Sequence, residues 1–402
     1  MSSAAEKLRA KLAPTGGPSD TAKVFWHPGA EKPKASPEIE LPDGLEAEVS
    51  EEAKDSDAAT EQERKSSGQA ARALLLKSGA ETQFGAFVLL GNIGGRYAPV
   101  HIREEAGTDY IRAVMQAATK KMPPKTEVEN LCVDVRNSAR EAGRRTTVHQ
   151  RIARTQEGRV LDLGDKAGNV VIITADGWRL ELNTEIAFIR GRSYGALPTP
   201  IRAASSRGAF KLLFDWLVSL GTSKSRAPLV VAALVSWMRT ANAYPLLLLF
   251  GAPGTGKTTA ARLIFLLIDP SESLTLPTIK SDAEHVAAAA QHRHILTFDN
   301  ESKLSAAEQD LFCVCVTGGE VVGRALYTDG DVAILPIHRP VLITAVQPVV
   351  TRPDLLSRTI PVEFGERLVR RRDDEIMKAF FQMRPELLGA LLELLVLGEQ
   401  HE

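Results

Sequence analysis

A glycine-rich segment that ends in a lysine and two threonines is the part of this sequence best suited to chemistry. Residues 251–259 satisfy the pattern GxxxxGK(S/T). Such a loop curls so that successive backbone N–H groups point at phosphate oxygens, and a helix beginning there adds the positive end of its dipole. We therefore predict that Lys257 contacts the β- and γ-phosphates of a nucleotide and that the Thr258 hydroxyl binds Mg²⁺. The predicted nucleotide-binding residues are Gly251, Ala252, Pro253, Gly254, Thr255, Gly256, Lys257, Thr258 and Thr259.

The neighbouring elements distinguish a phosphate loop from a glycine-rich turn that has no ligand. Residues 246–250 are all apolar, as is typical of a central parallel strand buried on both faces, and 257–268 have a helical pattern. A second apolar strand, predicted over 294–298, ends at Asp299. We expect this carboxylate to bind Mg²⁺ directly or through water, with an ordinary strand-end turn as the alternative.

The chain between these two strands is long enough for one more strand and one more helix. We predict the strand over 274–279 and the helix over 282–291. A strand inserted between the two motif-bearing strands is typical of the larger division of P-loop NTPases. A simple nucleotide kinase is therefore a less favoured interpretation.

Composition places the chain among ordinary globular proteins. Of its 402 residues, 44% are apolar, 25% are charged and 5% are aromatic, which excludes fibrous and wholly disordered classes. The longest apolar stretch is shorter than the ~18–20 residues of a membrane-spanning helix, and the charged N-terminus lacks a secretory signal. Three cysteines without metal-site spacing fit a reducing compartment. We therefore expect a cytoplasmic protein with no membrane partner.

Changes in composition divide the chain into six segments. Residues 1–70 combine prolines with an acidic run and have few aromatic side chains, so we predict a disordered tail, with a docking segment at 24–26 as the alternative. The remaining segments are a small α+β module over 71–145, a small antiparallel β module over 146–200, a connector over 201–225, an α/β core over 226–364 and a helical segment over 365–402.

Residues 246–364 resemble the AAA+ ATPases, and more narrowly the superfamily III helicase-like ATPases of phages, plasmids and integrative elements, whose members often follow a primase domain. The resemblance rests on the loop at 251–259 and on Asp299, and it extends more loosely over 80–400. It implies an α/β fold of the P-loop NTPase (ASCE) type, with a parallel five-stranded core and a C-terminal helical lid. It also implies ATP and Mg²⁺ as cofactors, assembly into a homo-oligomeric ring, usually a hexamer, and single-stranded DNA and a primase or other replication protein as partners.

A hairpin signal lies late in the core. Residues 321–328 and 331–337 flank an Asp-Gly dipeptide at 329–330, which favours a two-residue turn. In the family that the chain resembles, a hairpin at this position enters the ring pore and contacts DNA. The resemblance therefore implies DNA-binding roles for Arg324 and Tyr327, a cation and a stacking ring. A hairpin that packs on the core, with a solvated arginine, is the alternative.

Residues 351–358 resemble the segment that carries the arginine finger of these ATPases. The resemblance implies that Arg358, or as second choice Arg352, contacts the γ-phosphate bound by a neighbouring subunit. In the alternative interpretation Thr351 and Asp354 form a helix capping box and both arginines are surface groups. The two roles are compatible.

Two positions depart from the usual residues of the family. Thr344 stands near the end of a strand predicted over 339–345, where a polar residue, most often Asn, senses the γ-phosphate. Asn300 follows Asp299 where many relatives have a glutamate that orients or deprotonates water. An amide orients water but does not accept its proton at neutral pH, so Glu301 is an alternative base.

Two functions from different classes follow from these features. The first is an ATP-hydrolysing DNA helicase or translocase in the replication of a phage, plasmid or integrative element. The second is a nucleotide-dependent switch or scaffold that docks partner proteins without unwinding. The predicted catalytic residues are Lys257, Asp299, Asn300, Glu301, Thr344, Arg352 and Arg358.

Overall fold

A computed structural model of the chain describes residues 61–92, 97–102, 105–183, 186–191, 193–239, 243–324, 332–365 and 372–401. The docking segment at 24–26 and Tyr327 lie outside these residues. The described residues form a mixed sheet, an antiparallel sheet and a parallel sheet in that order along the chain, together with a separate two-stranded hairpin.

The first unit packs three helices on a small mixed sheet. It comprises α1 (Glu61–Ser78), β1 (Gly79–Thr82), β2 (Phe87–Asn92), β3 (Tyr97–His101), α2 (Glu105–Thr119), α3 (Lys125–Glu141) and β4 (Arg145–Thr146), with strand order β3-β2-β1-β4. Ala71 and Leu75 lie one turn apart on α1 and are buried in the core of this unit. The prediction of a disordered tail over 1–70 is therefore wrong for residues 61–70. These residues are helical because they continue the helix that buries Ala71 and Leu75.

The second unit is an antiparallel sheet of four strands. These are β5 (Ile152–Arg154), β6 (Arg159–Asp162), β7 (Asn169–Thr174) and β8 (Gly177–Leu182), paired in chain order. Strand β6 is buried along its whole length, whereas β8 is exposed from Arg179 onward. The interior strand β6 is thus covered on both faces, whereas the edge strand β8 lies at the surface of the protein.

The third unit is an α/β core around a parallel sheet. It comprises α4 (Ser206–Ser219), α5 (Ala227–Arg239), β9 (Leu246–Phe250), α6 (Lys257–Ile268), α7 (Ala283–Ala290), β10 (Leu296–Glu301), α8 (Ala306–Thr317), β11 (Gly319–Arg324), β12 (Val332–Ile337), β13 (Val341–Ala345), α9 (Pro353–Leu356), β14 (Thr359–Glu363) and α10 (Asp373–Glu399). The parallel strands have the order β10-β13-β9-β14. Strand β9 lies inside this sheet, which explains its uninterrupted run of leucines.

Within the described residues the parallel sheet has four strands. The prediction of a further strand over 274–279 is therefore wrong. This segment runs beside the edge strand β10, where the Ile279 N–H donates to the Thr297 carbonyl (3.2 Å) and the Thr297 hydroxyl donates to the Pro277 carbonyl. Pro277 has no N–H to give to a strand ladder, and Leu274 has a φ of 55°, which no regular strand accommodates. The segment therefore occupies the place of a fifth strand without forming one.

A buried ion pair joins the second unit to the third. Arg151 and Asp269 are both almost completely buried, with 3.4 Å between guanidinium and carboxylate. Arg151 also donates to the carbonyl oxygens of Asp162 (3.2 Å) and Gly195 (3.0 Å) and lies over the Tyr194 ring, 3.6 Å from its centroid. Removing one partner of a buried pair typically costs about 3–5 kcal/mol. Replacement of either residue alone would therefore leave an unpaired charge buried between the antiparallel sheet and the core.

The C-terminal helix α10 packs across the core and reaches the antiparallel sheet. Phe380 stacks on Trp216 of α4 with 6.2 Å between ring centroids, and the Arg384 guanidinium donates to the Leu266 carbonyl of α6 (2.6 Å). At its end, Gln400 donates to the Ala175 carbonyl (2.9 Å). Among the described residues, no helix is both long enough and apolar enough to cross a membrane.

Candidate nucleotide-binding site

The predicted phosphate loop follows β9 and leads into α6, the strand and the helix that the sequence predicts on either side of it. Gly251 follows β9 with a φ of 147°, and a Cβ atom there would lie 2.3 Å from the Phe364 carbonyl oxygen. Gly256 has a φ of 90° and is the N-cap of α6. Both positions therefore need glycine, the first for close backbone approach and the second for its left-handed conformation. The loop that results ends at a helix N-terminus, which favours a bound anion.

Lys257 lies against the loop with its ammonium group on backbone oxygens. Its Nζ donates to the carbonyl oxygens of Gly251 (2.8 Å) and Ala252 (2.9 Å), and its side chain is buried. Burial lowers the pKa of Lys257, and the nearby Asp299 opposes that shift. An ammonium group has three hydrogens, so these two interactions leave one hydrogen for a phosphate oxygen.

Three side chains meet where α6, β10 and β13 come together. The Thr258 hydroxyl donates to Asp299 Oδ1 (3.0 Å), and the Thr344 hydroxyl donates to the same oxygen (2.5 Å). Thr344 is buried, whereas Thr258 is exposed. The structure therefore brings together three of the predicted site residues from distant parts of the sequence.

The Thr258 and Asp299 oxygens fit a magnesium ion. Two neighbouring oxygen ligands of an octahedral Mg²⁺, each at 2.0–2.1 Å, lie about 2.9 Å apart, and these two oxygens are 3.0 Å apart. Hydroxyl and carboxylate oxygens are the hard ligands that Mg²⁺ prefers. The residues present thus suit the ion that the sequence pattern implies.

Thr344 contacts both Asp299 and Asn300, and the phosphate-sensing role that the family resemblance implies for it stays a prediction. Besides donating to Asp299, its oxygen accepts the backbone N–H of Asn300 (2.8 Å). A hydroxyl has one hydrogen to donate, and here Asp299 receives it. In this structure Thr344 therefore positions Asp299 and Asn300 and has no hydrogen left for a phosphate.

Strand β10 contains a β-bulge at this point. Phe298 pairs with Ile343 of β13, and the next pair in the ladder is Glu301 with Ala345. Asp299 and Asn300 together therefore stand opposite the single residue Thr344. Asn300 has a φ of 62° and an exposed side chain, and Asn is among the few residues that tolerate this left-handed conformation.

Glu301 is half-buried beside the first turn of α8. Burial raises its pKa, and the Glu308 carboxylate adds to the effect. Glu308 forms a capping box with Ser305, and hydrogen bonds from Ser281 and Ser305 lower its own pKa.

The two predicted arginines lie on one short segment around α9. Arg352 is the N-cap of α9 and forms ion pairs with Asp310 (3.1 Å) and Asp354 (3.7 Å). Arg358 is exposed and donates to the Asp354 carbonyl and to the Ser357 hydroxyl (3.2 Å). The contacts that the structure gives both arginines lie within α8 and this segment rather than at the phosphate loop.

The capping-box alternative for this segment is wrong. The N-cap residue is Arg352 rather than Thr351, and no side chain caps the helix. Gln309 of α8 instead holds the two residues before the helix, because its amide oxygen accepts the backbone N–H groups of Thr351 (2.8 Å) and Arg352 (2.9 Å). Its amide nitrogen donates to the Leu304 carbonyl (3.2 Å), and the side chain is buried. Sequence reasoning missed Gln309, since a lone glutamine on a helix gives no signal of its distant partners.

The predicted hairpin is confirmed in its two strands. Strands β11 and β12 pair antiparallel from Gly319 with Ile337 to Arg324 with Val332. Residues 325–331, including Tyr327, lie outside the described residues, as does the side chain of Arg324. The DNA-binding roles of these two residues stay predictions.

Comparison with known families links the core to replication. Residues 213–400 match a family model described as actinomycete integrative conjugative element replication protein. This part of the chain is similar to a mobile-element replication protein. The match supports the replication and mobile-element part of the sequence resemblance, and assignment to the helicase-like ATPases stays a prediction. No curated protein matches the chain.

Three solved structures of one protein region are also similar to this chain. They are two A-form apo structures and a further apo structure of the NrS-1 C-terminal region. The A forms have TM-scores of 0.41 and 0.39 and identities of 12% and 11%, and the third has 0.39 and 13%. Each of the two A-form matches covers 80% of this chain, and they cover 68% and 70% of the matched chains. The third match covers 85% of this chain and 75% of the matched chain.

Proposed function

We propose that this protein binds and hydrolyses ATP with Mg²⁺ and uses the reaction in the replication of an integrative element. The observation that carries the proposal is the meeting of Thr258 and Asp299, 3.0 Å apart, beside a glycine loop curled at a helix N-terminus. The family match over 213–400 includes this entire site and supplies the replication context.

Each residue of the site has a defined task in this proposal. The loop N–H groups and the Lys257 ammonium bind phosphate oxygens and balance their negative charge. Thr258 and Asp299 would hold Mg²⁺, which when bound neutralises charge on the phosphates. Thr344 keeps the Asp299 carboxylate oriented through its hydrogen bond. Preorganised groups of this kind account for most of the catalysis of phosphoryl transfer.

A helicase or translocase that assembles as a ring is the form of the proposal we favour. Arg358 is exposed at the edge of the core, where it is accessible to a second copy of the chain. Strands β11 and β12 are the two arms of the predicted hairpin, paired from Gly319 with Ile337 to Arg324 with Val332. An arginine accessible to a neighbour and a hairpin are the two parts that such a ring motor requires, one for the neighbouring nucleotide and one for DNA.

A nucleotide-dependent switch is the second candidate, and one specific observation favours it. The hydrogen of the Thr344 hydroxyl is engaged with Asp299, and the residue that follows Asp299 is an amide rather than an acid. A site that binds ATP tightly and turns it over slowly would hold a partner-docking state for long periods. In that case the ATP-bound protein, rather than unwinding, would be the functional product.

Steady-state ATP hydrolysis with and without single-stranded DNA tests both candidates. We expect Lys257→Ala to lower hydrolysis by about 100-fold, comparable to the loss of one charge-stabilising donor. Lys211→Ala is the matched control, because Lys211 is exposed on α4 and pairs with Asp215 there. Stimulation by DNA that disappears in Arg358→Ala supports the motor. Tight ATP binding with little turnover supports the switch, and no ATP binding refutes the proposal.

A further inference from the structure

Strand β8 is an open edge of the antiparallel sheet. It stands last in the order β5-β6-β7-β8, and within the part of the chain that the structure describes no strand pairs with its outer side. Its residues are exposed from Arg179 onward, and the accessible fractions of Leu180 and Leu182 are 41% and 62%. An open edge with apolar side chains is a site where a further strand can add to a sheet.

The backbone hydrogen-bonding groups of alternate β8 residues point away from the sheet. Along an antiparallel strand, successive residues direct these groups to one neighbour and then to the other. The Asn183 N–H donates to the Gly168 carbonyl (3.0 Å) in the register of the β7–β8 ladder, which assigns the odd-numbered residues to β7. The groups of the even-numbered residues therefore face outward. The Arg202 guanidinium donates to the Trp178 carbonyl, as expected if that carbonyl faces away from β7.

The side chains of β8 make this edge complementary to a second copy of itself. Side chains alternate along a strand, so Arg179 and Glu181 lie on one face and Leu180 and Leu182 on the other. When two β8 strands pair antiparallel about Leu180, each Leu180 stands opposite its equivalent. Arg179 of each copy then stands opposite Glu181 of the other, and opposite charges at such positions stabilise a strand pair.

The hydrogen-bond pattern selects the same register. Pairing about Leu180 sets even-numbered residues opposite even-numbered residues, so the outward N–H and carbonyl groups meet. Leu182 stands opposite Trp178, whose carbonyl has a second lone pair beside the one that Arg202 uses. The two neighbouring registers that keep this pattern are displaced by two residues. They would place Arg179 opposite Arg179 or Glu181 opposite Glu181, and like charges directly opposite destabilise a strand pair.

We propose that two copies of this protein pair antiparallel through β8, in the register centred on Leu180, and so join their antiparallel sheets into one continuous sheet. The contact is two-fold, with the same residues contributed by both copies. A two-fold contact joins two copies, whereas a ring needs a head-to-tail contact. The dimer is therefore separate from the ring considered above, and it requires neither nucleotide nor DNA.

Exchange of the two charges tests the pairing. Sedimentation velocity of the full chain without nucleotide, at increasing protein concentration, measures the dissociation constant of the dimer. Arg179→Glu and Glu181→Arg each set like charges opposite each other at both symmetry-related positions, so each should raise this constant at least about tenfold. The double variant Arg179→Glu/Glu181→Arg restores opposite charges and should dimerise within about threefold of wild type. Lys211→Glu, a charge reversal on the exposed face of α4, is the matched control and should dimerise like wild type.

Disulfide formation tests the register. Opposite residues of a hydrogen-bonded antiparallel pair have Cα atoms about 5.5 Å apart, within the range of about 4.4–6.8 Å that a disulfide spans. Leu180→Cys should therefore form an intermolecular disulfide under mild oxidation. The control is Leu182→Cys, because residue 182 is more exposed but lies about 14 Å from its equivalent in this register. The wild-type protein, with its own three cysteines, gives the background.

The outcomes decide the proposal in either direction. Dimerisation that is lost in both single charge variants and recovered in the double variant, with a disulfide at residue 180 well above that at 182, supports the pairing. A monomeric wild-type protein, single charge variants that dimerise like wild type, or a double variant that stays monomeric would overturn it. Equal disulfide formation at 180 and 182, or none at 180, would overturn the register. Because the substituted side chains are exposed, every variant should melt near the wild-type temperature.

Discussion

Replacing Thr344 by valine tests whether this residue positions Asp299, the carboxylate that we propose binds magnesium. The two side chains have nearly the same shape, but valine lacks the hydroxyl. That hydroxyl donates to Asp299 Oδ1 (2.5 Å) and accepts the Asn300 N–H (2.8 Å). Because Thr344 is buried, water cannot readily take its place. The substitution therefore removes one hydrogen bond to a charged group and leaves one backbone donor unpaired.

The size of both effects follows from these two contacts. A hydrogen bond to a charged group contributes about 1.5–3 kcal/mol, and an unpaired buried donor costs about 1–3 kcal/mol. We therefore expect the Thr344→Val protein to lose about 2.5–6 kcal/mol of unfolding free energy. If catalysis needs Asp299 held in place, loss of the first bond alone lowers kcat about 10- to 100-fold. The Mg²⁺ concentration for half-maximal hydrolysis should also rise.

Thr174→Val is a matched control for this experiment. Thr174 lies at the end of β7, far from the site along the chain, and its hydroxyl also makes two bonds, donating to the Gly177 carbonyl (3.2 Å) and accepting the Asp176 N–H (3.3 Å). Its partners are neutral and it is less buried, so we expect a smaller stability loss and an unchanged kcat. The reasoning is refuted if Thr344→Val hydrolyses ATP with the kcat and Mg²⁺ dependence of the control.

Two further predictions concern buried polar side chains. Gln309→Leu should lower unfolding free energy by about 2–5 kcal/mol in chemical denaturation, because two backbone N–H groups lose their acceptor; wild-type stability would contradict this. His294 is completely buried, and burial lowers its pKa to about 4. The pKa of His294 is therefore lower in the folded protein than in the unfolded chain, where it is about 6.5. The free energy of unfolding should be highest above pH 6.5 and should fall by about 3 kcal/mol as the pH drops to 4, because protonation then favours the unfolded chain. In chemical denaturation at several pH values, the free energy of unfolding should depend less on pH for His294→Gln than for the wild-type protein. An equal pH dependence in both proteins would contradict the prediction.

The phosphate loop could be predicted from sequence because its requirements are local. Gly251 and Gly256 need special backbone geometry, and Lys257 and Thr258 must follow at fixed spacing. A short window of sequence contains all of these conditions. Asp299 could be found for a related reason, since it ends an apolar strand whose burial requires a distinct residue pattern.

The missing fifth strand shows where pattern reasoning fails. The residues at 274–279 include Leu274, Leu276 and Ile279, whose apolar character favours a strand, and all three pack against the core. Burial alone does not make a strand, because the ladder also needs N–H groups at regular positions, and Pro277 interrupts them. An apolar segment beside a sheet is therefore evidence that the segment is buried. A proline within it indicates that the segment does not form a regular ladder of backbone hydrogen bonds.

Asn300 illustrates a harder limit. In the sequence it stands directly after Asp299, where the ATPases that the sequence resembles often have an acid, and this comparison suggests a weakened site. In the sheet it is the bulged residue, and the position after Asp299 belongs to Glu301. The shift depends on pairing with β13, more than forty residues away, and on a hydroxyl of that strand. Position in a motif and position in a sheet are therefore different properties, and chemistry at the end of a strand depends on the second.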